Sequence, residues 1–194
     1  MPYDQHIVRV NQRKEELKGK LEKELSGFSE ISLEIGCGHG HWLVDYAAAN
    51  QEKFCLGIDM MGSRIRRCIK KQERSGLPNV RFVQGEAFEV LETLPEKIKL
   101  EEVFILFPDP WPKKRHWKNR IINPKFLSQL ATFCQQGVIT HFRTDVEDYY
   151  NWAIEVVGGH PNWEITTDIE WPFERATVFQ ERSESYHSLI FRRV

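Results

Sequence analysis

The sequence predicts an α/β protein with a doubly wound, mostly parallel sheet of seven strands. Short apolar runs alternate with stretches of helical period, and Gly or Pro separates many of them. This alternation is typical of consecutive β-α-β units, which build parallel sheets. The last apolar run has no clear crossover helix before it, so we expect it to be the one antiparallel strand. The predicted strands are residues 31–35, 54–58, 80–83, 103–107, 138–142, 163–167 and 188–192.

The helices follow from the segments between these runs. Residues 8–26 carry charges of both signs with a weak helical period, which indicates an N-terminal helix. A chain of 194 residues is long enough for one domain with a sizeable core. We therefore expect residues 1–194 to form a single domain, with residues 1–26 as a helical segment before the α/β fold of residues 27–194. The other predicted helices are residues 40–50, 62–75, 86–93, 124–135 and 146–157.

Composition narrows the class of protein. The net charge of −1 and pI near 6.7 give no global sign of nucleic-acid binding, so any such binding needs a local basic patch. The four cysteines lack metal-ligand spacing, and we expect reduced thiols. The N-terminal residues lack the apolar core of a signal peptide, and no segment approaches the roughly 20 apolar residues of a membrane span. These features predict a cytoplasmic protein without a membrane or metal partner.

A glycine loop follows the first predicted strand, in the run Glu34-Ile35-Gly36-Cys37-Gly38-His39-Gly40. Glycines at alternate positions let the backbone turn tightly and approach a ligand closely. The spacing differs from the G-x-G-x-x-G of dinucleotide-binding proteins, and the acid Glu34 would repel a pyrophosphate. An acid at this place instead suits a cationic ligand such as S-adenosylmethionine.

Acids recur at the end of each of the first four predicted strands. Glu34, Asp59, Glu86 and Asp109 are separated by 25, 27 and 23 residues, each close to one β-α-β unit. An acid after the second strand binds ribose hydroxyls in many nucleotide-binding folds. The alternative is that Asp59 and Glu86 are solvated loop acids or helix N-caps. Four acids in register favour a ligand site along one edge of the sheet.

The run Pro108 to Arg120, PDPWPKKRHWKNR, places an acid between two prolines and then a series of cations without another acid. It directly follows a predicted strand, and ligands sit at strand ends in open α/β sheets. Cations at this place suit phosphates, although a solvated loop is the alternative. Trp111 is a candidate either for stacking on a base or for core packing.

A second cluster of cations lies on the predicted helix at residues 62–75, where we expect a solvated outer face. Its cations are Arg64, Arg66, Arg67, Lys70, Lys71 and Arg74.

The motif PDPWPKKRH, together with EIGCGHG, GID, GEA, HFRTD and TVFQ, resembles the bacterial tRNA (guanine-N7-)-methyltransferases. The motifs occur in the family's order over residues 34–180. The resemblance implies the Rossmann-like class I methyltransferase fold and S-adenosylmethionine as cofactor. It implies transfer of a methyl group to guanine N7 in the variable loop of tRNA (position 46), by a monomer or homodimer.

The resemblance also assigns residues. Asp109 would be catalytic. The cofactor would contact Glu34, Gly36, Gly38, Gly40, Asp59, Glu86, Ala87 and Asp109. The guanosine would contact Lys113, Asp145, Thr177 and Gln180. The RNA backbone would contact Lys114, Arg115, His116, Lys118 and Arg120, within a family arm that matches residues 116–121.

The chain departs from the family at three positions: Glu86 stands where Asp is usual, Asn119 where Arg is common, and Gln180 where Glu is common. The alternative for Asp145 is a purely structural role, since Thr144 and Glu147 have the spacing of a capping box at a helix start. Two functional alternatives stay open. One is a methyltransferase of the same fold acting on another RNA or base position, and the other is a non-catalytic RNA-binding module.

Overall fold

The computed structural model describes residues 3–175 and 185–194, and in these ranges all the predicted strands and helices are present. The helices are α1 (Tyr3–Glu24), α2 (His41–Ala49), α3 (Gly62–Ser75), α4 (Ala87–Thr93), α5 (Pro124–Ala131) and α6 (Glu147–Gly158). The strands are β1 (Glu30–Ile35), β2 (Cys55–Asp59), β3 (Val80–Gln84), β4 (Lys99–Leu106), β5 (Cys134–Thr144), β6 (Trp163–Ile165) and β7 (His187–Arg193). The sequence did not predict the 3₁₀ helix at Lys114–Asn119.

The seven strands form one sheet in the order β3-β2-β1-β4-β5-β7-β6. Strands β1 to β5 are parallel, and β7 runs antiparallel between β5 and β6. The predicted doubly wound sheet with an antiparallel final strand is therefore confirmed. The chain reverses its direction of winding between β1 and β4, and such a switch point is where open α/β sheets bind ligands.

Two apolar layers enclose the sheet. One contains buried residues of α1, α4, α5 and α6, among them Leu21, Val90 and Phe126. The other contains buried residues of α2 and α3, such as Leu43 and Ile65. Neighbouring positions of one strand alternate between these layers, as the two-residue period of a pleated strand requires. The helices cover both faces of the sheet. Polar residues at the ends of the strands therefore remain accessible to ligands.

Strand β5 is longer than predicted, and α5 is shorter. The sequence predicted a helix to residue 135 and a strand from 138, with Gly137 between them. The structure instead ends α5 at Ala131 and runs β5 from Cys134 through Gly137, whose φ is +92°. The register with β4 shifts here, because residues between the Cys134 and Ile139 pairs are bulged out. Gly137 therefore permits a bulge inside a strand.

A buried polar network lies in the layer that contains α2. The Glu102 carboxylate accepts hydrogen bonds from Tyr46 Oη at 2.5 Å and Lys53 Nζ at 2.9 Å, and its other oxygen lies 3.0 Å from His141 Nε2. Burial alone would raise the pKa of Glu102, but the hydrogen bonds from His141, Tyr46 and Lys53 lower it to about 2. The network holds β4 and β5 to α2 through a charged group.

Helix α1 packs onto α4 on the other face. Leu17, Leu21 and Leu25 are buried, and Arg13 Nε donates to a carboxylate oxygen of Glu89 at 3.0 Å. Neither this helix nor any other in residues 3–175 and 185–194 is long and apolar enough to cross a membrane.

Candidate active site

Five acids lie along one edge of the sheet, at the carboxyl ends of the five parallel strands. In the order of the sheet, Glu86 follows β3, Asp59 ends β2 and Glu34 lies near the end of β1. Asp109 then follows β4, and Asp145 follows β5. Parallel strands bring their carboxyl ends to the same edge, so the fold places all five predicted acids together.

The glycine loop leaves β1 on this edge and leads into α2. Gly36, Gly38 and Gly40 have φ angles of +76°, +55° and +66°, a region that L side chains rarely adopt. A Cβ atom on Gly40 would lie 2.8 Å from Phe82 Cζ, whereas Cβ atoms on Gly36 and Gly38 would meet nothing within 4 Å. Gly40 therefore allows close packing onto β3, and the other two glycines leave open space beside the backbone.

Glu34 is a buried carboxylate at the base of this loop. Its side chain is 4% exposed, and Oε2 has no hydrogen-bond partner in the described parts of the chain. Burial, together with the neighbouring Cys68 and Asp59, raises its pKa to about 8. A buried carboxylate oxygen without a donor is costly, and a cationic partner would remove that cost. The site therefore favours a ligand that brings positive charge.

Asp59 is oriented by the backbone around it. One carboxylate oxygen accepts from Gly38 N at 3.1 Å and from Arg64 Nη1 at 3.2 Å, and the other accepts from Met61 N at 2.8 Å. These bonds fix the carboxylate between the glycine loop and the start of α3. A carboxylate has about four acceptor positions, so it retains capacity for a ligand hydroxyl.

Two methionines follow Asp59 and were missed by the sequence reasoning. Met60 is 68% exposed and Met61 is 50% exposed, although both are large apolar side chains. They lie on the same edge as the acids and offer an apolar surface to a flat ring. The signal was available, since two methionines directly after a strand-end acid are unusual for a solvated turn.

Glu86 caps the next helix. It is the N-cap residue of α4, and its Oε2 accepts from Glu89 N at 3.2 Å. Ala87, the first residue of the helix, is buried. Glu86 therefore acts as a helix N-cap, the alternative that the sequence left open. The cap bond uses one carboxylate oxygen, and the other can accept a further hydrogen bond.

The acidic turn after β4 has a constrained backbone. Phe107 and Trp111 have φ angles of +50° and +47°, which are unfavourable for non-glycine residues and recur at functional sites. Phe107 N donates to Arg143 O at 2.8 Å, which ties the start of the turn to β5. Asp109 is exposed at the centre of this turn, between the two prolines. The turn therefore presents one carboxylate from a rigid backbone.

The basic run continues as the 3₁₀ helix. Lys113, Lys114, Arg115 and Lys118 are exposed, and none forms an ion pair with a described residue. His116 is half-buried: its ring lies 5.9 Å from the Trp111 ring, and its Nε2 accepts from Arg115 Nε at 3.2 Å. These four cations, without an ion-pair partner among the described residues, follow Asp109 closely in the chain and make a positively charged surface. We call it the basic arm (residues 113–118).

Arg120 does not belong to this surface, against the expectation from the sequence. Its side chain is 0% exposed and lies among the rings of Trp117, Tyr149 and Trp152. A guanidinium in this position cannot reach a phosphate on the surface. Arg120 is buried because these three rings enclose it. Two of them, Tyr149 and Trp152, belong to α6, which is distant in sequence.

Asp145 is exposed directly after β5, and the residues around it do not form the capping box that the sequence suggested. The N-cap of α6 is Val146, without a side-chain cap bond, and Thr144 Oγ1 accepts from Val146 N at 3.2 Å. Thr177 and Gln180 lie at residues 176–184, outside the described ranges.

Arg143, the cation of HFRTD, is a third residue that the sequence reasoning missed. Its guanidinium Cζ lies 3.7 Å from the centre of the Trp171 ring and 4.8 Å from that of Tyr186. It forms an ion pair with Glu174, at 2.6 Å between Nη2 and Oε1. The available signal was a cation directly after the predicted strand 138–142 and two residues before Asp145. It holds the chain on both sides of residues 176–184 against the end of β5.

Four of the six cations of α3 are exposed, as expected for a solvated face, whereas Arg64, which binds Asp59, and Lys71 are half-buried. In residues 3–175 and 185–194, no group of three or more His, Cys, Asp or Glu side chains has an arrangement that could hold a metal ion.

Comparison with known proteins identifies the family. A family model described as a putative methyltransferase matches residues 29–192. A tRNA (guanine-N(7)-)-methyltransferase of Halorhodospira halophila is 40% identical over 82% of this chain and 73% of that protein. The chain belongs to this family. A tRNA (guanine-N(7)-)-methyltransferase of Aromatoleum aromaticum is 37% identical over 83% of this chain and 65% of that protein. For the one of Caulobacter vibrioides the identity is 36%, over 71% of this chain and 61% of that protein.

Solved structures agree on the fold of this tRNA (guanine-N7-)-methyltransferase family member. The aminoglycoside resistance methyltransferase NpmB1 superimposes with a TM-score of 0.62, at 20% identity over 91% of this chain and 93% of that one. TrmN from Thermus thermophilus gives a TM-score of 0.61 at 12% identity, over 91% of this chain and 48% of that one. The expected class I methyltransferase fold is confirmed.

Proposed function

We propose that this protein transfers a methyl group from S-adenosylmethionine to N7 of a guanine in the variable loop of tRNA. The proposal rests on two carboxylates at the carboxyl ends of neighbouring strands. Glu34, a buried carboxylate with one oxygen that has no donor among the described residues, lies at one strand end. A rigid exposed carboxylate, Asp109, follows the neighbouring strand beside the basic arm. Family membership supports the same activity. We propose that the protein acts on tRNA in the cytoplasm, the location expected from the sequence.

The residues present fit the cofactor. Glu34 would pair with its cationic amino group, and the open space beside Gly36 and Gly38 would admit its amino-acid part. Asp59 would accept from the ribose hydroxyls, in the orientation that the Gly38 and Met61 amides fix. Glu86 and Ala87 would meet the adenine. S-adenosylmethionine supplies an activated methyl group on a sulfonium centre.

The substrate side of the site needs no general base at the reacting atom. Guanine N7 carries a free lone pair, so the nucleophile exists without proton removal. Asp109 would accept hydrogen bonds from the N1–H and N2–H edge of guanine, and its charge would stabilise the cationic ring that methylation creates. Asp145 would make a second contact, with Lys113, Thr177 and Gln180 on the same nucleoside. Holding the two reactants in line contributes up to about 7–11 kcal/mol in well-oriented reactions.

The basic arm supplies a route to RNA binding in a protein of near-zero net charge. Lys114, Arg115 and Lys118 would contact backbone phosphates, with His116 beside them. Each phosphate contact releases condensed counterions, so affinity must fall as salt rises. Trp111 is 36% exposed, which favours stacking on a base over core packing.

Methyl transfer to tRNA tests the proposal. Labelled S-adenosylmethionine is incubated with unmodified tRNA that carries guanine or adenine at the variable-loop position, and the modified nucleoside is mapped by nuclease digestion and mass spectrometry. We expect 7-methylguanosine at that position in the guanine tRNA only. Transfer to both RNAs would point to another base position or RNA. Cofactor binding without transfer to any RNA, or no cofactor binding at all, would favour the non-catalytic alternative.

A further inference from the structure

We infer that Arg120 is a positioning residue, which fixes the turn carrying Asp109 against the start of the helix that follows Asp145. The inference rests on the proposed function and deepens it. It arises from the one cation of the Pro108–Arg120 run that the fold buries.

The guanidinium is held by aromatic faces and not by a carboxylate. Its Cζ lies 4.4 Å from the centre of the Trp117 ring, 4.7 Å from that of Tyr149 and 5.8 Å from that of Trp152. No ion pair joins it to a described residue. Cation–π attraction is strongest where water is excluded, and this guanidinium is fully buried. Burial lowers the pKa of Arg120, but the guanidinium stays protonated, because its ordinary value of 12.5 lies far above neutral pH.

The hydrogen bonds of Arg120 connect the two sides of the site. Nε donates to the carbonyl oxygen of Pro110 at 2.9 Å, and Pro110 is the residue directly after Asp109. Nη1 donates to the carbonyl oxygen of Asp148 at 3.2 Å, in the first turn of α6, three residues after Asp145. One rigid planar group therefore sets the spacing between the backbones that carry the two proposed guanine contacts.

The chain beyond Arg120 strengthens this connection. Ile122 N donates to Tyr149 Oη at 3.2 Å, and Trp152 Nε1 donates to Ile122 O at 2.8 Å. Ile122, two residues after Arg120, is thus bound to α6 through both its backbone N–H and its carbonyl oxygen. A displacement of about 1 Å in a reacting geometry can cost about 10²-fold in rate, so this connection bears directly on turnover.

Lysine and methionine substitutions separate positioning from stability. Arg120→Lys keeps a cation among the rings, but an ammonium lacks the planar fork that bonds both carbonyls at once. Arg120→Met keeps apolar bulk and removes charge and both bonds. Arg74→Met is the matched control, because Arg74 is an exposed arginine in the last turn of α3 and has no proposed role in the site. For each variant the measurements are kcat and KM for tRNA, the dissociation constants of tRNA and cofactor, and the melting temperature.

We expect Arg120→Lys to melt close to the wild type and to lose about 10–100-fold in kcat, with both dissociation constants within about twofold. Arg120→Met should lose kcat to a similar extent and also melt earlier. Arg74→Met should leave kcat and the KM for tRNA within about twofold of the wild type. A wild-type kcat in Arg120→Lys, or a loss confined to tRNA affinity with a reduced salt dependence, would overturn the positioning role. An unfolded Arg120→Lys would show a purely architectural role. A wild type without activity on any tRNA would overturn the proposed function, and the positioning role with it.

Discussion

Replacing Glu34 with Gln tests the electrostatics of the cofactor site in the absence of cofactor. The carboxylate is 4% exposed, and one of its oxygens lacks a partner in the described residues. Glutamine has nearly the same shape and carries no charge. We therefore expect Glu34→Gln to stabilise the free protein at alkaline pH and to weaken cofactor binding, because the partner for the cationic amino group is lost.

The size and sign of the stability effect follow from the pKa. Burial raises the pKa of Glu34 from 4.5 to about 8, and one pH unit corresponds to about 1.4 kcal/mol. Below pH 4.5 the group is protonated in both the folded and the unfolded protein. Between pH 4.5 and about 8 only the unfolded chain has lost the proton, so the free energy of unfolding falls as pH rises. At pH 8 and above, the free energy of unfolding is therefore lower by about 5 kcal/mol than below pH 4.5.

Urea unfolding of the cofactor-free protein at several pH values between 4.5 and 8.5 measures this effect. The stability advantage of Glu34→Gln over the wild type should be small at pH 4.5 and should grow to a few kcal/mol at pH 8.5. Glu30→Gln, at the exposed start of the same strand, is the matched control and should show no such growth. An advantage that does not change with pH, or a Glu34→Gln variant less stable than the wild type at pH 8.5, would refute the reasoning.

Three further predictions concern catalysis, RNA binding and stability. Asp109→Asn should lower kcat by about 10²–10³-fold with tRNA affinity within about twofold, and full activity would remove Asp109 from the mechanism. Lys118→Glu should weaken tRNA binding and lower the slope of log affinity against log salt by about one, whereas an unchanged slope would move the RNA surface elsewhere. Glu102→Gln should cost about 3 kcal/mol in urea unfolding at neutral pH. Because the pKa of Glu102 is lowered to about 2, this cost should shrink as pH falls from 4.5 towards 2, and a constant cost would contradict the network.

The order of strands and helices could be predicted because the signals are local. A buried parallel strand is a short apolar run, and an acid at its end is adjacent in sequence to the strand that places it. Glu34, Asp59, Glu86 and Asp109 therefore fell on one edge as expected. Their shared edge follows from the parallel topology alone.

Other features depend on contacts between distant segments, and local patterns do not contain them. Arg120 and its exposed neighbour Lys118 lie in the same basic run, and the run itself does not distinguish them. Arg120 is buried because Tyr149 and Trp152 of α6 pack against it. The bulge at Gly137 likewise exists because β4 pairs with β5 on both sides of it. In both cases the residue type was noticed, but its partner lay elsewhere in the chain.

The most direct test of the account replaces a single atom of the RNA. A tRNA is assembled with 7-deazaguanine at the variable-loop position, so that a C–H group stands where N7 carries its lone pair. The edge proposed to meet Asp109, N1–H and N2–H, is unchanged. We predict that the enzyme binds this tRNA about as tightly as the unmodified one and transfers no methyl group to that nucleotide. Methyl transfer to the 7-deazaguanine nucleotide at the normal rate would contradict the central claim.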